Sequence, residues 1–154
     1  MAHTHTKILI HMVFATHERR PLITPELMPK LHPYMSGIAR NLDCHVYALG
    51  GVADHCHIVF DLPPKLSLAE FANQVKSSST KWARGDGARD FSWQRGYGAF
   101  SMNAESLERA IWYVETQEQH HAKQTLRQEL EEFLRVNGMA GDTEFLDGVY
   151  RPQG

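Results

Sequence analysis

Residues 44–62, CHVYALGGVADHCHIVFDL, contain two short apolar segments separated by a glycine pair and a polar turn. Segments 44–50 and 55–62 both carry the β-branched, aromatic and other apolar side chains that are typical of strands. We therefore expect two strands joined as a hairpin, with the first strand ending at a break at Gly50–Gly51. This hairpin decides the fold, because the segments around it alternate between strand and helix patterns.

The remaining pattern predicts four more core elements and two C-terminal helices. They are a strand over 7–14, a helix from Thr24 to about 42, a helix from Ser67 to about 84, a short strand within 93–102, a helix from Asn103 or Ser106 to about 121, and a helix over 125–136. The core order is β-α-β-β-α-β. This order indicates an α+β fold of the ferredoxin-like type, an antiparallel sheet with helices on one face, plus C-terminal helices.

Length and composition are those of one ordinary globular domain. The chain has 154 residues, of which 42% are hydrophobic and 22% charged, and we expect a core over about 7–121 and a C-terminal helix and tail over about 122–154. Its apolar runs are far shorter than the ~20 residues that cross a bilayer, and its first residues lack the layout of a secretory signal. Two cysteines cannot form a disulfide framework. We expect a cytoplasmic protein.

Charge is unevenly distributed along the chain. The formal net charge of −2 argues weakly against a nucleic-acid-binding protein, since such domains are usually basic. Residues 65–104, however, carry six basic and three acidic side chains, whereas residues 105–147 carry four and ten. This division fits either a basic functional face with an acidic counterpart or two ordinary solvated surfaces.

His55 and His57 are the first candidate functional residues. Positions i and i+2 of a strand project from the same face, so both imidazoles point one way and Cys56 points the other. Two neutral imidazoles on a rigid strand can bind one metal ion; a chance pair in a chain with ten histidines is an equal alternative. Cys56 and Cys44 are expected to be small buried hydrophobic residues.

The helix expected before residue 121 offers further groups. Tyr113 and Gln117 are four residues apart and share a helix face. The Gln117 carbonyl oxygen is a suitable ligand for Mg²⁺ or Mn²⁺, although a surface glutamine and a core tyrosine are the commoner roles. His120 and His121 are compatible with phosphate contacts, metal ligands or a polar helix end.

Three motifs then occur in a fixed order: DHCHIVF at 54–60, WQRGYGAFS at 93–101 and YVETQEQHH at 113–121. Together with HMVFATHERRPLIT at 11–24 and KSSSTKW at 76–82, they cover nearly the whole chain. The sequence resembles the single-tyrosine HUH transposases of the insertion sequence 200/605 group, which include the REP-associated tyrosine transposases. In that family, HUH denotes two histidines around a hydrophobic residue, here Cys56.

The resemblance assigns a role to each candidate. It implies that His55, His57 and Gln117 bind a divalent metal, Mg²⁺ or Mn²⁺, and that Tyr113 is the nucleophile that forms a 5′-phosphotyrosine. It further implies a single-stranded DNA substrate with hairpins and a homodimer. Because a phosphotyrosine holds the bond energy in the covalent intermediate, we expect no nucleotide cofactor, and the short apolar runs argue against a membrane. It leaves open whether Tyr113 acts in its own subunit or in its partner.

Single-stranded DNA is bound by basic and aromatic side chains. Candidate contacts are Lys76, Lys81, Arg84, Arg95, Trp93, His120 and His121, with Trp82 and Tyr97 as stacking or packing residues. Two other functions remain possible from the sequence: an inactive ferredoxin-like nucleic-acid-binding module derived from such an enzyme, and a metal-dependent hydrolase that activates water. The presence of all four of His55, His57, Tyr113 and Gln117 disfavours the inactive module.

Overall fold

The computed structural model describes residues 3–139 and has a four-stranded antiparallel sheet at its centre, in the order β2-β3-β1-β4. The strands are β1 (Leu9–Ala15), β2 (His45–Val52), β3 (His55–Asp61) and β4 (Gly98–Met102). The helices are α1 (Met28–Asn41), α2 (Leu68–Gly85), α3 (Leu107–Glu115), α4 (Gln117–His121) and α5 (Leu126–Val136). The predicted ferredoxin-like arrangement is confirmed. None of the described helices is long and apolar enough to span a bilayer.

The main core lies between the sheet and helices α1 and α2. Alternate residues of the two central strands point into it, including Met12 and Phe14 of β1 and Cys56, Ile58 and Phe60 of β3. Cys56 is fully buried there, as the strand alternation predicts. The other residues of β1 and β3 therefore point to the opposite face of the sheet.

Helices α3 and α5 cover that opposite face. Val13 and Ala15 of β1 pack against the leucines of α5, and Val59 of β3 packs against Val114 of α3. The sequence predicted C-terminal helices without indicating which face they cover. The two histidines of β3 are among the strand residues that point away from the main core. These helices therefore enclose them.

Helices α2 and α5 begin at the predicted capping residues. Ser67 accepts a hydrogen bond from the Glu70 backbone N–H at the start of α2, and Thr125 forms a reciprocal capping box with Gln128 at the start of α5. The first helix differs, because Thr24 caps only a preceding turn, through a hydrogen bond from the Leu27 N–H to its Oγ1, and α1 begins at Met28.

Two further predicted boundaries are wrong. Gly50–Gly51 does not interrupt the strand but lies inside β2, where α3 packs so closely that a Cβ on Gly50 would overlap the Val114 carbonyl. The single helix expected up to residue 121 is divided at Thr116, whose backbone (φ −113°, ψ 31°) leaves helical geometry. The Thr116 hydroxyl donates to the Trp112 carbonyl at 2.7 Å. The tail beyond residue 139 lies outside the described residues.

The close packing at Gly50 predicts that Gly50→Ala destabilises the protein. The added methyl group must displace the α3 backbone at Val114, and overpacking of this kind costs about 1–3 kcal/mol. Gly37, inside α1, is the matched control, since a Cβ there meets nothing within 4 Å and alanine is the better helix former by about 0.5–1 kcal/mol. Thermal unfolding should show a lower Tm for Gly50→Ala and an equal or higher Tm for Gly37→Ala. Equal behaviour of the two variants would contradict the close approach.

Candidate metal centre and catalytic site

His55 and His57 lie at the start of β3, on the face that α3 and α5 cover. The strand register pairs His57 with Val13 and His55 with Ala15 of β1, so backbone hydrogen bonds on both sides hold the pair rigidly. Both side chains are fully buried. Buried polar side chains need hydrogen-bond or metal partners, and the four ring nitrogens have identifiable neighbours.

A carboxylate contacts Nδ1 of the His55 ring. His55 Nδ1 lies 2.8 Å from Asp54 Oδ1, and the Arg19 guanidinium contacts the other Asp54 oxygen at 3.0 Å. These contacts help keep the pKa of Asp54 below its usual range, although its partial burial acts in the opposite direction. Because a carboxylate only accepts hydrogen bonds, Nδ1 carries a proton, and in the neutral ring Nε2 then presents its lone pair to the site.

Gln117 faces that lone pair. Its Oε1 lies 3.2 Å from His55 Nε2, while its Nε2 donates to the Tyr113 carbonyl, also at 3.2 Å, which fixes the orientation of the amide. For a neutral His55, two acceptor atoms therefore point at each other. This is the arrangement of two ligands around a cation, and it brings together two of the three predicted ligands.

His57, like His55, has a carboxylate neighbour. Its Nδ1 lies 2.8 Å from His11 Nε2, and its Nε2 lies 2.6 Å from Glu129 Oε1 of α5. Within residues 3–139, neither His57 Nε2 nor Glu129 Oε1 has a hydrogen-bond partner of ordinary geometry. Buried polar atoms left in this state are rare in folded proteins, and both are good metal ligands.

Glu129 connects the remaining groups of the cluster. Its Oε2 lies 2.8 Å from His121 Nε2, and its Oε1 lies 3.7 Å from His55 Nε2. One ligand atom from each of His55, His121 and Glu129 lies within 4.8 Å of the others. Burial alone would raise the pKa of the Glu129 carboxyl, but its close contacts with His121 and His57 hold it below its usual range.

The donor set as a whole fits a divalent cation. It combines imidazole nitrogens with amide and carboxylate oxygens, and those atoms converge from β3, α4 and α5 in a buried position. Imidazole and oxygen ligands of this kind suit first-row divalent ions and Mg²⁺. Gln117 contacts His55, His57 contacts Glu129, and ligand atoms of His55, His121 and Glu129 lie within 4.8 Å of one another. Metal binding by His55, His57 and Gln117 stays a prediction.

Tyr113 lies beside this cluster in the same chain. The centre of its ring is 5.9 Å from that of His57 and 4.6 Å from that of His120. It also lines an open cleft of about 730 Å³ together with His11, Arg109 and Phe133. Burial raises the pKa of the phenol, and the Glu129 carboxylate raises it further. The phenol is therefore protonated at neutral pH in the absence of a cation.

Comparison with known proteins identifies the family. The model of the IS200-like transposases matches residues 4–117, which is most of the chain. The chain belongs to the IS200-like transposase family. The resemblance inferred from the three motifs is thereby confirmed.

Solved structures of transposases share the fold of this family member. A protein assigned as a transposase from Deinococcus radiodurans R1 has a TM-score of 0.63 at 18% identity, over 76% of this chain and 95% of that one. A REP-associated tyrosine transposase bound to a REP hairpin has a TM-score of 0.56 at 15% identity, over 79% of this chain and 74% of that one. No curated protein sequence matches the chain significantly.

The predicted DNA contacts of this transposase divide into two groups. Trp93 is 9% exposed and donates from Nε1 to Ser79 Oγ at 2.9 Å, so it is a core residue and cannot stack on a base in this conformation. Lys76 is partly buried and donates to the Gln94 and Gly96 carbonyls, and burial lowers its pKa to about 8. Both side chains are therefore engaged within the protein, and DNA contact by either one stays a prediction.

The other candidates remain predictions. Lys81, Arg84 and Arg95 are exposed, and Arg84 also donates to the Phe91 carbonyl at 2.8 Å. His120 packs on the Tyr113 ring, and its Nε2 lies 2.9 Å from the Thr116 hydroxyl. Helix α2, which carries both Lys81 and Arg84, lies across the sheet from the paired histidines.

Sequence reasoning missed His11, Asp54 and Glu129, although each left a signal. His11 is the one polar residue within the strand segment LIHMVFA. Asp54 directly precedes the first histidine of the motif. Glu129 lies three residues after Leu126 and four before Phe133, so it is an acid on the apolar face of α5.

The depressed pKa of Glu129 predicts a pH-dependent stability. A carboxyl whose pKa is lowered in the folded state stabilises the fold above its unfolded value, near 4.5, and this contribution disappears as the pH falls below that value. With chelator present, we expect the stability difference between the wild type and Glu129→Gln to shrink by about 2 kcal/mol between pH 7 and pH 3. Urea unfolding at several pH values measures it. Glu131→Gln, at an exposed position, is the control, and identical pH profiles for both variants would contradict the buried carboxylate.

Proposed function

We propose that this transposase cleaves and rejoins single-stranded DNA in a metal-dependent reaction, through a 5′-phosphotyrosine formed on Tyr113. One observation carries the proposal: Tyr113 and the cluster of His55, His57 and Gln117 lie together within one chain. Each of these groups matches the role that the family resemblance assigns to it. Their proximity supports action of Tyr113 in its own subunit.

The reaction can be written as an exchange of phosphate esters. The Tyr113 Oη attacks the scissile phosphorus, the bond from phosphorus to the 3′-oxygen breaks, and the phosphate remains on the 5′ end as a phosphotyrosine. A later 3′-hydroxyl attacks the same phosphorus and releases the phenol. Because a phenol has a pKa of about 10, it is a better leaving group than an aliphatic alcohol. The ester bond is conserved, so no nucleotide cofactor is needed.

The buried ligands prepare the phosphate for this attack. His55 Nε2, His57 Nε2 and Gln117 Oε1 would hold the metal, with Glu129 and His121 within reach. When bound there, Mg²⁺ or Mn²⁺ supplies positive charge that stabilises the phosphate and orients the 3′-oxygen. The His and Gln ligands are neutral, so among these groups only Glu129 would offset the positive charge available to the substrate. Asp54 holds the ring of His55 in place.

The substrate is proposed to be a single strand with hairpin-flanked ends, and the protein to be a homodimer. The structural neighbour bound to a REP hairpin supports the hairpin. Arg109 lines the open cleft beside Tyr113 and can contact a phosphate entering it. Lys81, Arg84 and Arg95 are the exposed candidates for more distant contacts.

A labelled oligonucleotide tests this function. A hairpin-flanked single strand carrying a 3′ label is incubated with the protein and Mn²⁺, and the products are separated on a denaturing gel. We expect a covalent protein–DNA band that retains the label and disappears with chelator. A hydrolase would instead release a labelled fragment with a free 5′-phosphate. Chelator-insensitive binding without an adduct would favour the inactive module.

A further inference from the structure

His11 is a buried polar residue that the proposed reaction does not use directly. It lies in the middle of β1, where every residue is buried, and is itself 4% exposed. The edge of its ring packs against Phe133 of α5, with ring centres 4.7 Å apart. A histidine in such surroundings is costly unless its nitrogens are satisfied. Its Nε2 lies 2.8 Å from His57 Nδ1, which is the outer nitrogen of a proposed metal ligand.

Two proton arrangements satisfy this contact. In the first, His57 Nδ1–H donates to His11 Nε2, and the lone pair of His57 Nε2 points into the cluster. In the second, His11 Nε2–H donates to His57 Nδ1, and His57 Nε2–H points at Glu129. Both arrangements contain two neutral rings and the same number of protons. Only the first allows His57 to bind a cation through Nε2.

The contact between His57 and Glu129 distinguishes the two arrangements, because a cation shared by these atoms requires the first. A proton on His57 Nε2 should form a directed hydrogen bond to Glu129 Oε1, which is only 2.6 Å away. Among the described residues, however, neither atom has a hydrogen-bond partner of ordinary geometry. The two atoms are placed as two ligands that share a cation, as His55 Nε2 and Gln117 Oε1 are placed nearby.

We propose that His11 is a positioning residue of the metal centre: its Nε2 accepts the hydrogen bond from His57 Nδ1 and thereby fixes the lone pair of His57 Nε2 toward the metal. Asp54 does the same for His55 with a carboxylate. The two histidines of β3 are thus oriented by different groups, one from the preceding turn and one from the neighbouring strand. The inference rests on the proposed metal site.

The tautomers can be measured in the unmodified protein. Two-bond ¹H–¹⁵N spectra of histidine-labelled protein distinguish protonated from unprotonated ring nitrogens, and Mg²⁺ is a suitable diamagnetic probe. With Mg²⁺ bound, we expect a protonated Nδ1 and an unprotonated Nε2 for His57, and an unprotonated Nε2 for His11. A protonated His11 Nε2 in the loaded protein would overturn the proposal.

Variants test the same inference through affinity for Mn²⁺, followed by electron paramagnetic resonance. His11→Phe removes the acceptor and should weaken Mn²⁺ binding about 10- to 100-fold, the usual effect of losing a partner of a metal ligand. His11→Gln keeps an acceptor at the same reach and should recover most of the affinity, which a purely structural role would not predict. His32→Phe, in α1 and outside the cluster, is the control and should stay within twofold of the wild type.

The outcomes separate this inference from the proposed function. Two results would show that His11 is not a positioning residue: His11→Phe binds Mn²⁺ as tightly as the wild type, or His11→Gln binds it as weakly as His11→Phe. Neither result would contradict the metal site itself. If the wild type binds no Mn²⁺, the metal site itself is wrong and this inference fails with it. Thermal unfolding confirms that each variant is folded before affinity is compared.

Discussion

Replacement of Tyr113 with phenylalanine is expected to abolish the covalent adduct while leaving binding of the oligonucleotide intact. The substitution removes only the hydroxyl that attacks phosphorus, and the ring keeps its packing against His57, His120 and Phe133. Loss of a nucleophile commonly lowers the rate by roughly 10⁴-fold or more. The adduct formed with Mn²⁺ and a hairpin-flanked oligonucleotide should therefore fall below detection, as measured by denaturing gel.

Tyr34→Phe is the matched control. Tyr34 is an exposed tyrosine of α1 that stacks on Trp82, on the other side of the sheet from the cluster. This variant should form adduct at the wild-type rate. Adduct formation by Tyr113→Phe at that same rate would remove Tyr113 from its proposed role, whatever the fate of the metal site.

His57→Ala is expected to weaken Mn²⁺ binding about 100-fold or more. Loss of a group that only orients a metal ligand typically weakens binding about 10- to 100-fold, and loss of the ligand itself should have a larger effect. In the wild type, a ligand at 100 times its Kd stabilises the folded state by about 2.7 kcal/mol, so Mn²⁺ should raise the Tm. In His57→Ala that rise should vanish. The same variant should form no adduct, because the phosphate loses its charge-stabilising partner.

Metal-induced stabilisation is measured by thermal unfolding with and without Mn²⁺. The control is His45→Ala, an exposed histidine at the start of β2, which should retain the full rise in Tm. A rise of equal size in His57→Ala would show that Mn²⁺ binds elsewhere on the protein. It would contradict the proposed ligand set without bearing on the fold.

The sheet and the orientation of the paired histidines could be predicted from the sequence because both depend on local patterns. Strand alternation places His55 and His57 on one face and Cys56 on the other without reference to any other element. Capping residues such as Ser67 likewise mark helix starts through contacts within one turn.

The rest of the site depends on long-range packing that no local pattern contains. Glu129 reaches the histidines only because α5 packs across β1 and β4, some seventy residues along the chain from the motif. His11 meets His57 through strand pairing. The need for glycine at position 50 likewise follows from the close approach of α3 to the sheet.

An anomalous difference map from a crystal soaked in Mn²⁺ tests most directly whether one chain builds a single catalytic centre. We predict one strong peak within about 2.5 Å of the Nε2 atoms of His55 and His57 and of the Gln117 carbonyl oxygen, with Tyr113 of the same chain facing it. A peak away from both histidines, or one faced only by the tyrosine of a second subunit, would contradict this account.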